Sequence, residues 1–300
     1  MTHLPERAAA HDLRGTLARG IARLESASVP SAALAAELLL LHVLDRDRTW
    51  LYAHPENTLS TNEIARYDDL LGRRAAGVPV QYLTGEQEFW GLTFEVNPSV
   101  LIPRPETEHV IEVALERLGA ERRDAPLRIA DVGTGSGCIA VTLARELPHA
   151  QIVATDISAG ALEVARRNAA RHNVAARITT LPMDLLEEYL ADGRELFEAI
   201  VSNPPYVART DQRTLQREVV EHEPHEALFA GEHGLDVYPR LIAQAAALLK
   251  PGGLLVLELG HGQSAHVAAM LAEDAAWARV GITSDLAGIP RVLAAERVSS

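Results

Sequence analysis

Arg128-Ile129-Ala130-Asp131-Val132-Gly133-Thr134-Gly135-Ser136-Gly137, running into Cys138 to Leu147, is the stretch that decides the fold. An apolar run of strand length ends in an acidic residue. Three glycines at alternate positions follow, and a helical pattern begins at once. Glycines so spaced let a backbone turn tightly and approach a ligand closely. Strand, glycine turn and helix in that order open an α/β unit, whose ligand sits at the C-terminal end of the strand.

Downstream the alternation continues. Gln151-Ile152-Val153-Ala154-Thr155 reads as a strand, Ser158 to Arg171 as a helix capped by Ser158, and Arg177 to Leu181 and Glu198 to Ser202 as further strands. Leu235 to Leu249 reads as a helix closed by Pro251-Gly252-Gly253, leading into the strand Leu254 to Glu258. A helix near 264–271 precedes two terminal strands around 278–283 and 291–297. Strands separated by helices imply a Rossmann-like α/β domain, with a parallel sheet covered on both faces.

Upstream the pattern changes twice. Glu106 to Leu118 reads as a helix, and residues 77–103 are punctuated by Gly77, Pro79, Gly85, Gly91, Pro98 and Pro103. Short alternating pieces such as Leu92-Thr93-Phe94-Glu95-Val96 make that segment a β-hairpin linker. The first 76 residues read as a small helical bundle. Leu13, Leu17, Ile21 and Leu24 mark one helix. Ser31 is the expected cap of Ala32 to Leu44, with Leu34, Leu38, Leu41 and Leu44 along its face. A third helix from Thr61 through Arg74 turns Ile64, Tyr67, Leu70 and Leu71 inward. The expected domains are therefore a helical unit at 1–76, a hairpin linker at 77–103 and an α/β domain at 104–300.

Composition bounds the class. With 47 % hydrophobic and 23 % charged residues, the chain is of ordinary globular type. It has no apolar run of the roughly 18 to 20 residues a membrane helix needs. Met1 to His11 lacks the basic and apolar regions of a secretory signal. A lone Cys138 excludes an internal disulfide framework and fits a cytosolic location. The net charge is −13, and residues 1–84 carry nine arginines against ten acidic residues, so nearly all of the excess lies beyond them. A basic field for gripping nucleic acid is not visible, which argues against a stable nucleic-acid partner.

Gly133, Thr134, Gly135, Ser136 and Gly137 alone do not select a cofactor, because dinucleotide enzymes use a glycine turn too. The spacing Gly-x-Gly-x-Gly and the leading Asp131, which can accept hydrogen bonds from a cationic amino-acid end, favour S-adenosylmethionine. Asp156, just past the second strand, is placed to accept both ribose hydroxyls. Asp184, after the third strand, is placed to accept the adenine amino group, with Met183 or Leu185 beside the ring.

Ser202-Asn203-Pro204-Pro205-Tyr206 follows the fourth strand. An amide nitrogen is a poor nucleophile because its lone pair is delocalised. The Asn203 side-chain oxygen and the Pro204 carbonyl can accept both N–H bonds of a substrate NH2, hold its nitrogen in line with a sulfonium methyl and stabilise developing positive charge. The two prolines stiffen the loop and remove competing backbone donors, and Tyr206 can pack against the planar group. Asn203 thereby faces both substrate and cofactor. By itself the loop reads as planar NH2, which covers a glutamine amide and the exocyclic amine of a base.

The chain resembles the release-factor glutamine methyltransferases, the PrmC (HemK) family. Beyond the glycine turn and Ser202 to Tyr206, the matching stretches are Pro79 to Gly85, Phe89-Trp90-Gly91-Leu92, Leu101-Ile102-Pro103-Arg104-Pro105-Glu106-Thr107-Glu108, Glu223-Pro224, Leu249 to Gly253 and Asp285 to Gly288. The resemblance is strong over about 79 to 295 and weak in motif before that. It implies a seven-stranded methyltransferase sheet, mostly parallel with an antiparallel last strand. It implies methylation, from S-adenosylmethionine, of the glutamine in the Gly-Gly-Gln loop of bacterial class 1 peptide-chain release factors, and an N-terminal unit that helps hold the release factor. It also puts Phe89 near the cofactor and the Arg104 segment at the site's mouth. Position 185 is Leu where some members carry an aromatic residue beside adenine.

Three readings compete: a protein N5-glutamine methyltransferase, an N6-adenine or other base-amine methyltransferase using the same loop, and a non-catalytic binding protein. The acidic balance disfavours the second, and the intact glycine turn with Asp156 and Asn203 disfavours the third. No metal is expected. Cys138 reads as a small packing residue, Glu221 to Glu226 as a solvated or substrate-adjacent loop, and Trp50, Trp90 and Trp277 as packing residues. Lys250 suits a helix end.

Overall fold

A computed structural model describes residues 12–122, 124–192 and 196–299; the Met1 to His11 stretch read for a signal lies outside them. The chain divides into two compact units.

The first unit comprises the described residues up to Gly85 together with Arg217–His222. Its helices are α1 (Leu13–Ser26), α2 (Ala32–Leu44), α3 (Arg48–Ala53), α4 (Thr61–Ala75) and α5 (Val80–Thr84). Asp12 caps α1 by accepting from Gly15 N at 2.7 Å. Ser60 and Glu63 form a reciprocal capping box on α4, which satisfies two donors that the first turn leaves open. Gly20 in α1 has a purpose despite its cost to a helix. A Cβ there would lie 2.1 Å from the Tyr67 hydroxyl, which reaches past it to donate to Ala36 O at 3.0 Å.

Two expectations fail in α2. Ser31 adopts a left-handed conformation and makes no side-chain cap. The buried face runs through Ala35, Ala36, Leu39, Leu40 and Val43, while Leu34 and Leu38 are 48 % and 38 % exposed. The helix is apolar on every side, so periodicity could not select a face, and the alanine-bearing side gives the closer approach.

The second unit begins with β1 (Glu86–Phe89) and β2 (Leu92–Glu95), an antiparallel hairpin. Trp90 and Gly91 between them both have positive φ, as the favoured two-residue hairpin turn requires. Within 77–103, then, only 86–95 pair as strands, and Val80–Thr84 is one helical turn. There follow α6 (Glu108–Leu118), β3 (Arg128–Val132), α7 (Cys138–Glu146), β4 (Gln151–Asp156), α8 (Ala159–Arg171), β5 (Ile178–Pro182), α9 (Glu187–Asp192) and β6 (Phe197–Ser202). After α10 (Arg217–His222), which groups with the first unit, come α11 (Val237–Leu248), β7 (Leu249–Glu258), α12 (Ser264–Ala272), β8 (Trp277–Ser284) and β9 (Pro290–Arg297). Ser158 caps α8 as expected. Pro251 to Gly253 lie inside β7, with a register shift against β6, and do not close α11.

The sheet is Rossmann-like and seven-stranded, in the order β5-β4-β3-β6-β7-β9-β8. β5 through β7 are parallel, and β9 is antiparallel to both of its neighbours. Two apolar clusters cover its faces. One is built on Ile129, Val201 and Val256 with α6 and α7, the other on Ile200, Leu255 and Leu257 with α11. Strands buried on both sides are largely apolar, as Ile129, Ala130 and Val132 of β3 and Ala199, Ile200 and Val201 of β6 are. Strand order reverses between β3 and β6, and in open α/β sheets the ligand crevice lies at that reversal. The glycine turn leaves β3 there, and Asn203 leaves β6.

Candidate active site

A cavity of about 480 Å³ opens at the reversal, lined by residues 133–136, Asp156, residues 183–185 and Asn203 among others. Gly133, Gly135 and Gly137 all have positive φ. A Cβ on Gly133 or Gly135 would meet nothing within 4 Å, whereas one on Gly137 would lie 3.1 Å from Ala165 Cα. The first two glycines clear the cavity wall and the third lets α7 pack on α8.

Asp156 is half-buried on the wall, its Oδ2 accepting from Gly135 N and its Oδ1 from Ser158 N, both at 2.9 Å. Burial raises its pKa against those backbone bonds. Each oxygen keeps a lone pair for a hydroxyl donor. Asp184 is exposed on the wall, and its Oδ2 accepts from Arg240 at 2.6 Å, a partner the sequence did not suggest. Leu185 lines the cavity in a left-handed conformation, φ 52°, which is uncommon for a leucine and turns an apolar side chain into the site.

Three residues expected at the cofactor are not on the cavity wall: Gly137, which packs on α8, Asp131 and Phe89. Asp131 is fully buried beneath the turn and is not on the cavity wall. Its Oδ2 accepts from Thr134 Oγ1 at 2.6 Å and from Ala140 N at 3.0 Å, so it ties the glycine turn to α7. Burial pushes its pKa up to about 7, and Oδ1 has no hydrogen-bond partner among the described residues. Phe89 is buried against Phe94 in the core and also does not line the cavity.

At β6, Ser202 Oγ donates to Val132 O at 2.7 Å and fastens the strand tip to β3. Asn203 faces the cavity with Nδ2 donating to Thr107 Oγ1 at 3.0 Å, which leaves Oδ1 as the accepting end. Pro205 reaches the wall, while Pro204 is buried. Tyr206 is not on the wall. Its hydroxyl donates to Glu258 Oε1 at 3.0 Å, and Gln263 Nε2 donates to its carbonyl at 2.8 Å. A Cβ on Gly234 would lie 2.3 Å from that same carbonyl, so the loop can pass only over a glycine.

Sequence reasoning missed Thr107, Glu258 and the anchoring of the mouth. Glu223 is buried, accepting from Arg104 Nη2 at 2.5 Å and from Ile102 N at 3.2 Å. Of the two readings of this loop, that excludes the solvated one for Glu223, while Pro224, His225 and Glu226 lie on the cavity wall. The Leu101–Glu108 and Glu223-Pro224 stretches both stand out in the sequence, but nothing in one dimension says that they meet. Among the described residues no cluster could hold a metal. The Cys138 thiol is buried and its pKa pushed up to about 12, which suits packing. Lys250 directly follows the C-cap of α11, as expected of it, and pairs with Glu198.

Comparison with known proteins places these features in context. Residues 16–85 match the PrmC N-terminal domain model and residues 112–231 the methyltransferase small domain model. The chain is 46% identical over 277 residues to a release factor glutamine methyltransferase of Koribacter versatilis, covering 92% of this chain and 95% of that one. It is 41% identical to the one of Nitratidesulfovibrio vulgaris, covering 95% of each. Among solved structures, the hMettl16 catalytic domain in complex with a MAT2A 3'UTR hairpin superposes with a TM-score of 0.56 at 19% identity, covering 77% of this chain and 83% of that one. At that identity the likeness is one of fold.

Proposed function

The chain belongs to the release factor glutamine methyltransferase family, and on that premise we propose that it transfers a methyl group from S-adenosylmethionine to the side-chain amide nitrogen, N5, of the glutamine in the Gly-Gly-Gln loop of bacterial class 1 peptide-chain release factors. The observation that carries the reaction is the Asn203 amide, its nitrogen held by Thr107 and its oxygen left to accept, on the wall of a cavity beside the glycine turn.

The residues fit the donor. Gly133 and Gly135 form a cradle that any Cβ would begin to fill. Asp156 retains accepting capacity for the ribose. Burial, and to a lesser degree the neighbouring Asp156, disfavour the charge on Asp131 beneath the turn, which the positive charge of a sulfonium-bearing amino acid would offset. Thr134, Ser136 and Gly137 complete the turn, Asp184 keeps Oδ1 for the adenine amine, and Leu185 supplies the apolar contact.

When bound, the donor supplies an electrophilic methyl on a sulfonium. The chain's own part is orientation. Asn203 Oδ1 and the Pro204 carbonyl accept the two N–H bonds of the glutamine amide, and Pro205 limits its approach. These acceptors stabilise the charge that develops on nitrogen, and the extra proton then leaves to solvent. No general base is needed before transfer. Tyr206 acts from behind the loop, through Glu258, rather than by packing on the substrate. The helical unit serves recognition of the release factor, and the substrate assignment implies a cytosolic location. Among the described residues no helix is long and apolar enough to cross a membrane.

The test is methylation of a purified release factor in parallel with DNA and RNA, read by mass spectrometry at the Gly-Gly-Gln glutamine. Incorporation into nucleic acid alone would replace the substrate reading with base-amine methylation.

A further inference from the structure

The loop that carries the proposed acceptors cannot be held at its centre. Pro204 and Pro205 have no N–H to give, and the Pro204 carbonyl is needed by the substrate amide. Where that carbonyl sits therefore depends on how the two ends of the loop are fixed. At the front end, Ser202 Oγ donates to Val132 O at 2.7 Å. At the rear end the chain leaves through the Tyr206 carbonyl, and Gln263, 57 positions further along, donates to it.

Both polar atoms of the Gln263 amide are engaged. Nε2 donates to Tyr206 O at 2.8 Å and to Gly234 O at 3.1 Å, and Oε1 accepts from Gly260 N at 3.1 Å. All three partners are backbone groups. A main-chain N–H can only donate and a carbonyl can only accept, so a turned amide would oppose all three, and its direction is fixed. Tyr238 Oη, whose nearer acceptor is Glu258 O at 3.0 Å, lies 3.3 Å from Oε1. Gln263 thus joins three segments: the exit of the Asn-Pro-Pro-Tyr loop, the stretch before α11 that holds Gly234, and the residues just past β7.

Two further observations point to the same contact. A Cβ on Gly260 would lie 2.4 Å from Gln263 Oε1 and 3.0 Å from Tyr206 Cδ2, and one on Gly234 would lie 2.8 Å from Gln263 Nε2. Both positions must lack a side chain for the amide to fit. Gln263 is also the N-cap of α12, where Ser, Thr, Asp or Asn would close the first turn. Its side chain makes no capping bond and reaches to the loop instead, so helix stability does not explain a glutamine there.

We propose that Gln263 is a positioning residue for methyl transfer: its amide clamps the Tyr206 carbonyl to Gly234 and Gly260, and so holds the Pro204 carbonyl where the substrate NH2 must meet it. This role rests on the function set out above and adds a rear anchor to a loop whose front anchor is Ser202.

Gln263→Glu keeps the length and an acceptor for Gly260 but sets carboxylate oxygen against two carbonyls, while Gln263→Met keeps the length and removes every polar contact. With release factor as substrate, each should lose about 10- to 100-fold in kcat, the scale of loss that a misplacement of about 1 Å brings. KM for the release factor and donor Kd should stay within about threefold. The rate is taken per donor-binding site, counted by calorimetric titration with S-adenosylhomocysteine, so unfolded protein does not enter it. Gly260→Ala leaves Gln263 in place and crowds its amide; Gly260 is not among the left-handed glycines, so close approach alone acts, and kcat should fall in the same way. Wild-type kcat per site in both Gln263 variants, with only the number of sites or the urea midpoint reduced, would make Gln263 merely structural and overturn the clamp. A loss confined to KM or donor Kd would overturn it too. Either result leaves wild-type methylation of the release factor standing, whereas a wild-type chain that leaves the release factor unmethylated would remove the substrate reading and the clamp together.

Discussion

Alanine in place of Gly135 and alanine in place of Gly137 should do different things, although both residues sit in one turn with left-handed backbones. Gly137 has φ 81°, and its added Cβ would lie 3.1 Å from both Cα and Cβ of Ala165 in α8. The left-handed conformation costs an L-residue about 1–2 kcal/mol. Crowding a packed helix pair adds about 1–3 kcal/mol. Gly137→Ala should therefore destabilise the donor-free second unit by about 2–5 kcal/mol on these two effects. Gly135 has φ 54° with nothing within 4 Å of the added atom, so only the conformational cost applies, about 1–2 kcal/mol. Its methyl, however, enters the cavity wall where the donor is proposed to lie, and donor affinity should fall sharply. Urea denaturation without donor, paired with calorimetric titration of S-adenosylhomocysteine, separates the two. Equal destabilisation by both variants, or tight product binding by Gly135→Ala, would refute the assignment of one glycine to packing and the other to the ligand.

Asn203→Ala should lower kcat by at least about 100-fold while donor Kd changes little; near-normal turnover would exclude the amide contact. Asp156→Asn should weaken donor binding by about 10-fold or more, because a charge-assisted acceptor is replaced by a half-donor, and an unchanged titration would remove Asp156 from the ribose site. Burial raises the pKa of Glu258 to about 7, so between the ordinary carboxylate range and about 7 the folded chain holds a proton that the unfolded chain has lost. Stability from this group accordingly falls as pH rises through that window; Glu258→Gln should flatten the profile, and the same pH dependence of urea stability in the variant would assign it elsewhere. Replacing the exposed Leu34 and Leu38 together by aspartate should raise KM for the release factor without changing donor Kd, and an unchanged KM would deny α2 a part in recognition.

The elements of the α/β domain were legible because each carries a local signal. Ile129, Ala130 and Val132 in β3 and Ala199, Ile200 and Val201 in β6 are buried and apolar, as strands covered on both faces require. Gly133 to Gly137 need left-handed backbones that other residues resist, and Ser158 caps α8 through its own hydroxyl. Signals failed where one residue type permits two outcomes. α2 is apolar all round, so its buried face was chosen by which side packs closest, and Asp131 in a turn reads the same whether it faces a ligand or braces the backbone.

The succession of strands and helices, the glycine turn, the Asn-Pro-Pro-Tyr loop and, through family likeness, the class of substrate can all be read along the chain. Each depends on backbone preference or on a motif contiguous in the chain. The direction of the Asn203 amide, the bracing of the site's mouth by Glu223 and Arg104, and the closing of Asp184 by Arg240 were decided only by tertiary structure. Those contacts join residues tens to more than a hundred positions apart. A hydrogen bond between side chains distant in sequence exists only once the fold has brought donor and acceptor together, and no local pattern records that meeting.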